Sequence, residues 1–249
     1  MVITPLLKLL WRILAILDLI IISLVLFVLA FLPRFLTKGF YRQLFRYWCR
    51  LFVHALGVDL RLHEKFTTPL PDNYILIANH PSIFEDIGIP SLFDTYPVAK
   101  EELRNWFIGG RIAQAAGTLF VQRESKESRK AVSEEIFQAL QSGKNVAIFP
   151  EGGCKGKRIA EFRWGIFEIS LQTGIPIVPV FLHYEAQDEF EWKDDQTAPQ
   201  KIWQLLTLTN NRANYYVFDP LYPENFDDKE SYCDHAHEMY LEWQKKYLE

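Results

Sequence analysis

The sequence predicts an α/β fold, a mostly parallel sheet covered by helices, preceded by an N-terminal membrane helix or helical hairpin. Three observations carry that expectation. A long apolar run sits near the N-terminus, short apolar segments recur after residue 57, and helical periodicity fills the gaps between those segments. At 249 residues the chain has room for one substantial domain plus an accessory segment, divided here as a membrane-anchoring part, 1–56, and a catalytic-sized part, 57–249.

Residues 13–33 form the apolar run, interrupted only by Asp18 and Ser23. About 20 apolar residues suffice for a helix to cross a bilayer. Leu32-Pro33-Arg34-Phe35 is a poor cleavage site, so a retained helix is expected rather than a signal peptide. A re-entrant hairpin fits the same pattern. Asp18 is costly at depth and is expected to reach toward the headgroups. Lys8 and Arg12 flank one side of the run; Arg34, Lys38, Arg42, Arg46 and Arg50 flank the other, which by positive-inside counting places the rest of the chain on the cytoplasmic side. Arg42, Arg46 and Arg50 recur every four residues and make one basic helical face, suited either to anionic lipid or to solvent.

Beyond residue 57 the period changes. Residues 58–62 alternate as a half-buried strand, while 74–78, 117–121, 145–149 and 177–181 are short, apolar and fully buried in character. Residues 104–116, 125–140 and 163–173 are helical in pattern. Strands alternating with helices imply crossover units and a parallel sheet covered on both faces. Residues 215–218 read as a further strand and 232–247 as a terminal helix.

Bulk properties exclude some classes. A net charge of −4 and a pI near 5.9 argue against nucleic acid as a partner, since phosphate backbones demand a basic face. Cys49, Cys154 and Cys233 are an odd, sparse set that fits a reducing compartment rather than a disulfide framework. Cys233-Asp234-His235-Ala236-His237 lacks a second ligand group at zinc-site spacing, so no metal is expected.

The chemistry concentrates in three strand-terminal loops. His80 follows directly on the strand 74–78, and Ser82-Ile83-Phe84-Glu85 fits the capping box of a following helix. A carboxylate five or six residues on, Glu85 or Asp86, can orient the imidazole and stabilise its charged form when it takes a proton. Arg123 closes the strand 117–121 and suits a bidentate grip on phosphate. Residues 149–158, Phe-Pro-Glu-Gly-Gly-Cys-Lys-Gly-Lys-Arg, end another strand in glycines and cations that suit a phosphate cradle. Its glycine spacing departs from a nucleotide-binding P-loop, and Arg158 stands where a magnesium-binding Ser or Thr would be. No Gly-x-Ser-x-Gly elbow is present, which disfavours a serine hydrolase. Cys154 has no dedicated base beside it in sequence and is not read as a nucleophile.

Asn79-His80 with an acid downstream, Gly117-x-x-Phe120-x-x-Arg123, Phe149-Pro150-Glu151-Gly152 and Ile175-Pro176-Ile177-Val178-Pro179 stand in the order of the four motif blocks of the glycerolipid acyltransferase family, which residues 74–181 resemble. The resemblance implies that His80 is the base, that Glu85 or Asp86 orients it, and that Arg123, Glu151, Gly152 and Gly153, with Lys155 and Arg158 nearby, bind the acceptor's phosphate. It implies transfer of an acyl group from acyl-CoA or acyl-carrier protein directly to a lysophospholipid hydroxyl, with 1-acyl-glycerol-3-phosphate giving phosphatidic acid. Membrane lipids are then the partners, and no metal or organic cofactor is required. Two departures stand out. Glu85 occupies the position where the family usually has Asp, with Asp86 next to it. Gly153-Cys154 replaces the usual Thr-Arg, so either the head-group contact passes to Lys155, Arg158 or Arg163, or the acceptor is something other than lysophosphatidate. A transacylase or thioesterase on the same pair, or an inactive membrane-bound lipid-binding scaffold, are the alternatives.

Overall fold

A computed structural model describes residues 3–193 and 195–248; the side chains of Lys8, Arg34 and Lys38, expected to flank the apolar run, lie outside the described part. The chain opens with α1 (Ile3–Leu29) and α2 (Arg34–Leu56), joined by a turn at Ala30–Pro33. They form an antiparallel hairpin. Trp48 Nε1 donates to Ser23 Oγ at 2.7 Å, Tyr41 donates to Leu26 O at 3.0 Å, and Arg12 Nη2 reaches Leu56 O at 3.1 Å. Leu9–Leu29 is long and apolar enough to cross a membrane, with a mean hydropathy of 2.8, and most of its side chains are exposed. Asp18 falls in the middle of that stretch rather than near an end, where an isolated charge is most costly in lipid.

The arginines of α2 differ from the expected lipid-facing or solvated stripe. Arg42 is buried, donates to Thr95 O, pairs with Asp94 at 3.0 Å and lies over the Tyr96 ring at 4.2 Å. Arg46 Nη2 and Arg50 Nε donate to Leu92 O at 3.4 Å and Ser91 O at 3.0 Å. These carbonyls belong to the last turn of α3 (Glu85–Leu92) and the residues after it. A helix's final carbonyls have no partners within the helix and carry partial negative charge, so they draw the cations inward.

After α2 come β1 (Asp59–Glu64), β2 (Ile75–Ala78), α3, β3 (Thr95–Lys100), α4 (Gly109–Ala116), β4 (Leu119–Val121), α5 (Lys126–Gln141) and β5 (Asn145–Ile148). The chain continues through α6 (Gly165–Thr173), β6 (Ile177–Tyr184), the single turn α7 (Gln187–Phe190), α8 (Ala198–Thr207), β7 (Arg212–Val217) and α9 (Lys229–Leu248). The seven strands form one sheet in the order β1-β7-β6-β2-β5-β3-β4, parallel throughout except where β7 runs against β6. Alternation along β2 divides the core. Leu76 and Ala78 face a cluster with Val53, Leu56, Phe84 and Leu205, whereas Ile75 and Ile77 face Ile136, Leu140, Phe167 and Tyr240. The sheet is therefore covered on both faces, as the apolar runs require.

Two elements depart from expectation. β3 lies inside the sheet, yet Pro97 within it removes a ladder donor, and a proline argues against an interior strand on sequence grounds. The helix expected over 104–116 starts at Gly109; Glu101–Asn105 form a 3-10 turn and Trp106, Phe107 and Ile108 project outward. In the terminal helix Cys233 Sγ lies 3.6 Å from Phe162 O, and the His237 ring packs against the Phe162 ring.

Candidate active site

Three adjacent parallel strands, β6, β2 and β5, deliver the reactive residues from their carboxyl ends, the usual place for ligands in such sheets. Asn79, just past β2, pairs by its side chain with both Leu182 O at 3.0 Å and Leu182 N at 2.7 Å on β6. This fixes the turn that carries His80. The ring of His80 stacks on Phe149, the residue after β5, with centroids 3.9 Å apart and planes 10° from parallel. His80 is almost fully buried, and its orientation is set before any substrate arrives.

Glu85, rather than Asp86, pairs with the ring. Its Oε2 lies 3.4 Å from His80 Nδ1, although the ring N–H is not aimed at it and Nδ1 has no hydrogen-bond partner. Glu85 is fully buried and also accepts from Ser82 N at 3.0 Å, the reaching-back half of a capping box. Tyr184, the last residue of β6, donates to Oε1 at 2.6 Å. Sequence reasoning missed Tyr184. The available signal was a tyrosine ending an otherwise apolar buried strand, where its hydroxyl needs a partner. Burial and the adjacent Glu85 charge hold the Tyr184 pKa well above its ordinary value, so it remains a donor.

Asp86 is half-buried beside this pair. Burial, with the Glu85 charge adding to it, raises its pKa, while His80 and Arg123 pull the other way. For His80 itself burial works against the charged ring. Cys154 and Glu85 outweigh that and hold its pKa well above the ordinary value.

The loop after β5 wraps the other side of the ring. Glu151 is buried and gives one oxygen to His80 N at 2.8 Å and the other to Ala160 N at 2.9 Å. Its carboxylate thus staples two loops together rather than facing an open acceptor site. Burial, only partly offset by those N–H donors, pushes its pKa up to about 7. Gly152 adopts φ +72°, and a Cβ there would lie 2.8 Å from the Arg163 guanidinium carbon. A Cβ on Gly153 would lie 3.2 Å from Arg123 Nη1. Small residues at both positions therefore let two guanidinium groups close on the loop backbone. Lys155 N donates to His80 O at 3.0 Å, while the Lys155 and Arg158 side chains are exposed. Gly152 N is bonded to Phe149 O at 3.0 Å.

Cys154 lies where its sequence neighbours gave no hint. Its Sγ is 3.4 Å from His80 Nε2 and 3.1 Å from Ser82 O. Burial raises the thiol pKa, with Glu85 and Asp86 adding to the rise and His80 opposing it.

A carboxylate 3.4 Å from an imidazole, beside a loop carrying Lys155, Lys157 and Arg158, is an arrangement suited to moving a proton next to an anion. The chain belongs to the acyltransferase family: the family model described as Acyltransferase matches residues 59–183, half of the chain. Among curated proteins it is 28% identical over 160 residues to the 1-acyl-sn-glycerol-3-phosphate acyltransferase of Neisseria gonorrhoeae, covering 61% of this chain and 62% of that one. It is 27% identical over 197 residues to the lyso-ornithine lipid O-acyltransferase of Pseudomonas aeruginosa, covering 76% and 74%. The match thus spans about three fifths of the Neisseria protein's length. Among solved structures, the crystal structure of the 1-acyl-sn-glycerophosphate acyltransferase PlsC from Thermotoga maritima shares the fold, with a TM-score of 0.67 at 18% identity over 93% of this chain and 97% of that one.

Proposed function

We propose that the protein transfers a fatty acyl group from a thioester donor, acyl-CoA or acyl-carrier protein, to the free hydroxyl of a lysophospholipid. The leading acceptor is 1-acyl-glycerol-3-phosphate, giving phosphatidic acid. The observation that carries this reading is the His80–Glu85 pair, oriented by Phe149 and Tyr184 beside two guanidinium groups, in a chain of the acyltransferase family. His80 takes the proton of the acceptor hydroxyl as that oxygen attacks the acyl carbonyl, and Glu85 stabilises the charged ring. Arg123 and Arg163 face the acceptor's phosphate, with Lys155 and Arg158 on the loop's outer side. Arg163 then serves where the family's motif arginine is replaced by Cys154. The amides of Gly153 and Cys154 are the donors for the oxyanion, a contribution worth about 3 kcal/mol where such donors have been removed from other enzymes. No metal or organic cofactor enters this reaction.

The hairpin supplies the setting. Trp11, Ile21, Val28, Phe31, Phe35 and Phe107 leave a broad apolar surface, from 56% to 82% exposed residue by residue. We place it in the cytoplasmic leaflet, so that the site draws lysolipid from the interface rather than from water. The test is an assay of the full chain in detergent against lysolipid acceptors, including 1-acyl-glycerol-3-phosphate and lyso-ornithine lipid, with both donors. His80→Ala is expected to lower transfer by about 100-fold or more while vesicle association persists. Normal turnover by that variant would overturn the assignment.

A further inference from the structure

His80 has two ring nitrogens, and both have neighbours. Nδ1 faces Glu85; Nε2, the atom that would receive a proton from an attacking hydroxyl, faces the Cys154 thiol at 3.4 Å. A thiol therefore stands where direct transfer would require the acceptor. Its placement is built rather than incidental. On one side of Cys154 the Glu151 carboxylate is bonded to His80 N, and on the other Lys155 N is bonded to His80 O. The two bonds tie the loop to the same residue whose ring the sulfur approaches. Gly152, with its positive φ, turns the chain between those anchor points.

The other two cysteines provide a contrast. Cys49 is wholly buried in the packing between α1, α2 and α4, and Cys233 lies against Phe162 O on α9. Among the described residues only Cys154 touches an imidazole, and that imidazole already has its carboxylate. The order Glu85, His80, Cys154, with Sγ 3.4 Å from Nε2 and Glu85 Oε2 3.4 Å from Nδ1, is the carboxylate–imidazole–nucleophile arrangement by which an imidazole draws off a thiol's proton and makes the sulfur reactive.

We propose that acyl transfer passes through a covalent thioester on Cys154. The proposal rests on the acyl-transfer reading above and replaces its single displacement with two. In the first, His80 takes the Cys154 proton and Sγ attacks the carbonyl carbon of the donor thioester. The new Sγ–C bond forms, the donor's C–S bond breaks, and the departing thiolate leaves with the proton from His80. In the second, the acceptor hydroxyl attacks the acyl-Cys154 carbonyl while His80 takes its proton. The C–O bond forms, the Sγ–C bond breaks, and His80 returns the proton to sulfur. Exchange of one thioester for another is close to isoenergetic, and no oxidant or reductant takes part. Splitting the reaction also lets the donor thiol leave before the lysolipid enters, so one crowded loop can serve both substrates in turn.

The test uses the full-length protein in detergent, with whichever of palmitoyl-CoA or palmitoyl-acyl-carrier protein supports transfer. Incubated with that donor and no acceptor, then acid-quenched, the protein should gain the mass of one palmitoyl group on the peptide containing Cys154. Neutral hydroxylamine should remove it, as should added 1-acyl-glycerol-3-phosphate. Cys154→Ala should lose the adduct and at least about 100-fold of the transfer rate, while Cys154→Ser should form a slower, hydroxylamine-resistant ester. Absence of any adduct on wild-type protein that is turning over would overturn the proposal, as would transfer by Cys154→Ala within about threefold of wild type. Either result, together with an inactive His80→Ala, leaves His80 as the base of a direct transfer. Loss of the adduct proposal and loss of the acyl-transfer reading are thus separately visible.

Discussion

The arginines of α2 and the glutamates around His80 are both charges held by backbone atoms, with Arg42 and the glutamates buried, Arg46 half-buried and Arg50 exposed, yet only the second group faces a reactive side chain. Arg46 and Arg50 donate to Leu92 O and Ser91 O at the end of α3, and Arg42 donates to Thr95 O at the start of β3. Glu85 and Glu151 accept from Ser82 N, His80 N and Ala160 N around the start of the same helix. The helix is clamped by cations at its tail and anions at its head, in line with its dipole. What separates structure from function is the surplus. The arginines are directed at carbonyls and at Asp94, whereas Glu85 keeps one oxygen 3.4 Å from an imidazole nitrogen.

The sharpest way to break this comparison is to neutralise Glu85. Glu85→Gln keeps the shape and should lower kcat by about 100-fold with KM little changed. Asp86→Asn, by contrast, changes a half-buried acid that makes no contact with the ring and should cost about threefold, ~0.7 kcal/mol. Equal losses in steady-state kinetics would mean that the ring does not distinguish the two acids.

At the other pole, Arg42→Ala should act on stability. Its loss leaves Thr95 O without its charged donor, leaves Asp94 with only the longer Arg46 contact at 3.6 Å and removes the stacking on Tyr96, for a cost of about 2 kcal/mol. Melting in detergent should fall while kcat per folded molecule stays near that of wild type. A kcat loss as large as that of Glu85→Gln would erase the distinction between the two clusters.

The smallest effect is a slope with pH. Glu151 rises from an ordinary value of 4.5 to about 7 in the folded chain, so between those values the folded state holds a proton that the unfolded state has released. Stability contributed by this group is therefore full below about pH 4.5 and is lost as pH rises through about 7. Melting temperatures of wild type and Glu151→Gln, compared from pH 5 to 8, should converge or cross as pH rises because only the wild type has this term. Parallel curves would show that Glu151 titrates alike in both states.

Much of this was legible from sequence because the site grows from strand ends. The apolar segments 74–78, 145–149 and 177–181 marked β2, β5 and β6, and residues just beyond buried strands are where reactive groups gather. His80, Glu85, Arg123 and the 149–158 loop followed from that. What escaped depends on which strands lie side by side. Nothing local shows that β6 neighbours β2, which brings Tyr184 to Glu85, or that β5 neighbours β2, which brings Cys154 to His80. Parallel pairing joins residues about 70 to 100 positions apart. The arginine stripe was misread for a related reason: a four-residue period fixes which face the cations share, but not what that face meets. β3, which carries Pro97 inside the sheet, has no counterpart among the strands expected from sequence.

The clamp on α3 has a mechanical corollary. The helix that begins with Glu85 ends in the grip of the N-terminal apolar hairpin, so the hairpin and the His80 neighbourhood share one frame only eight residues long. With the hairpin placed in a bilayer as proposed, its depth would set the height of His80 above the acyl chains. A chain trimmed at residue 57 would keep every motif residue and lose that frame, its Val53 and Leu56 packing included. The apolar hairpin is, in this molecule, part of the bench on which the candidate site is mounted.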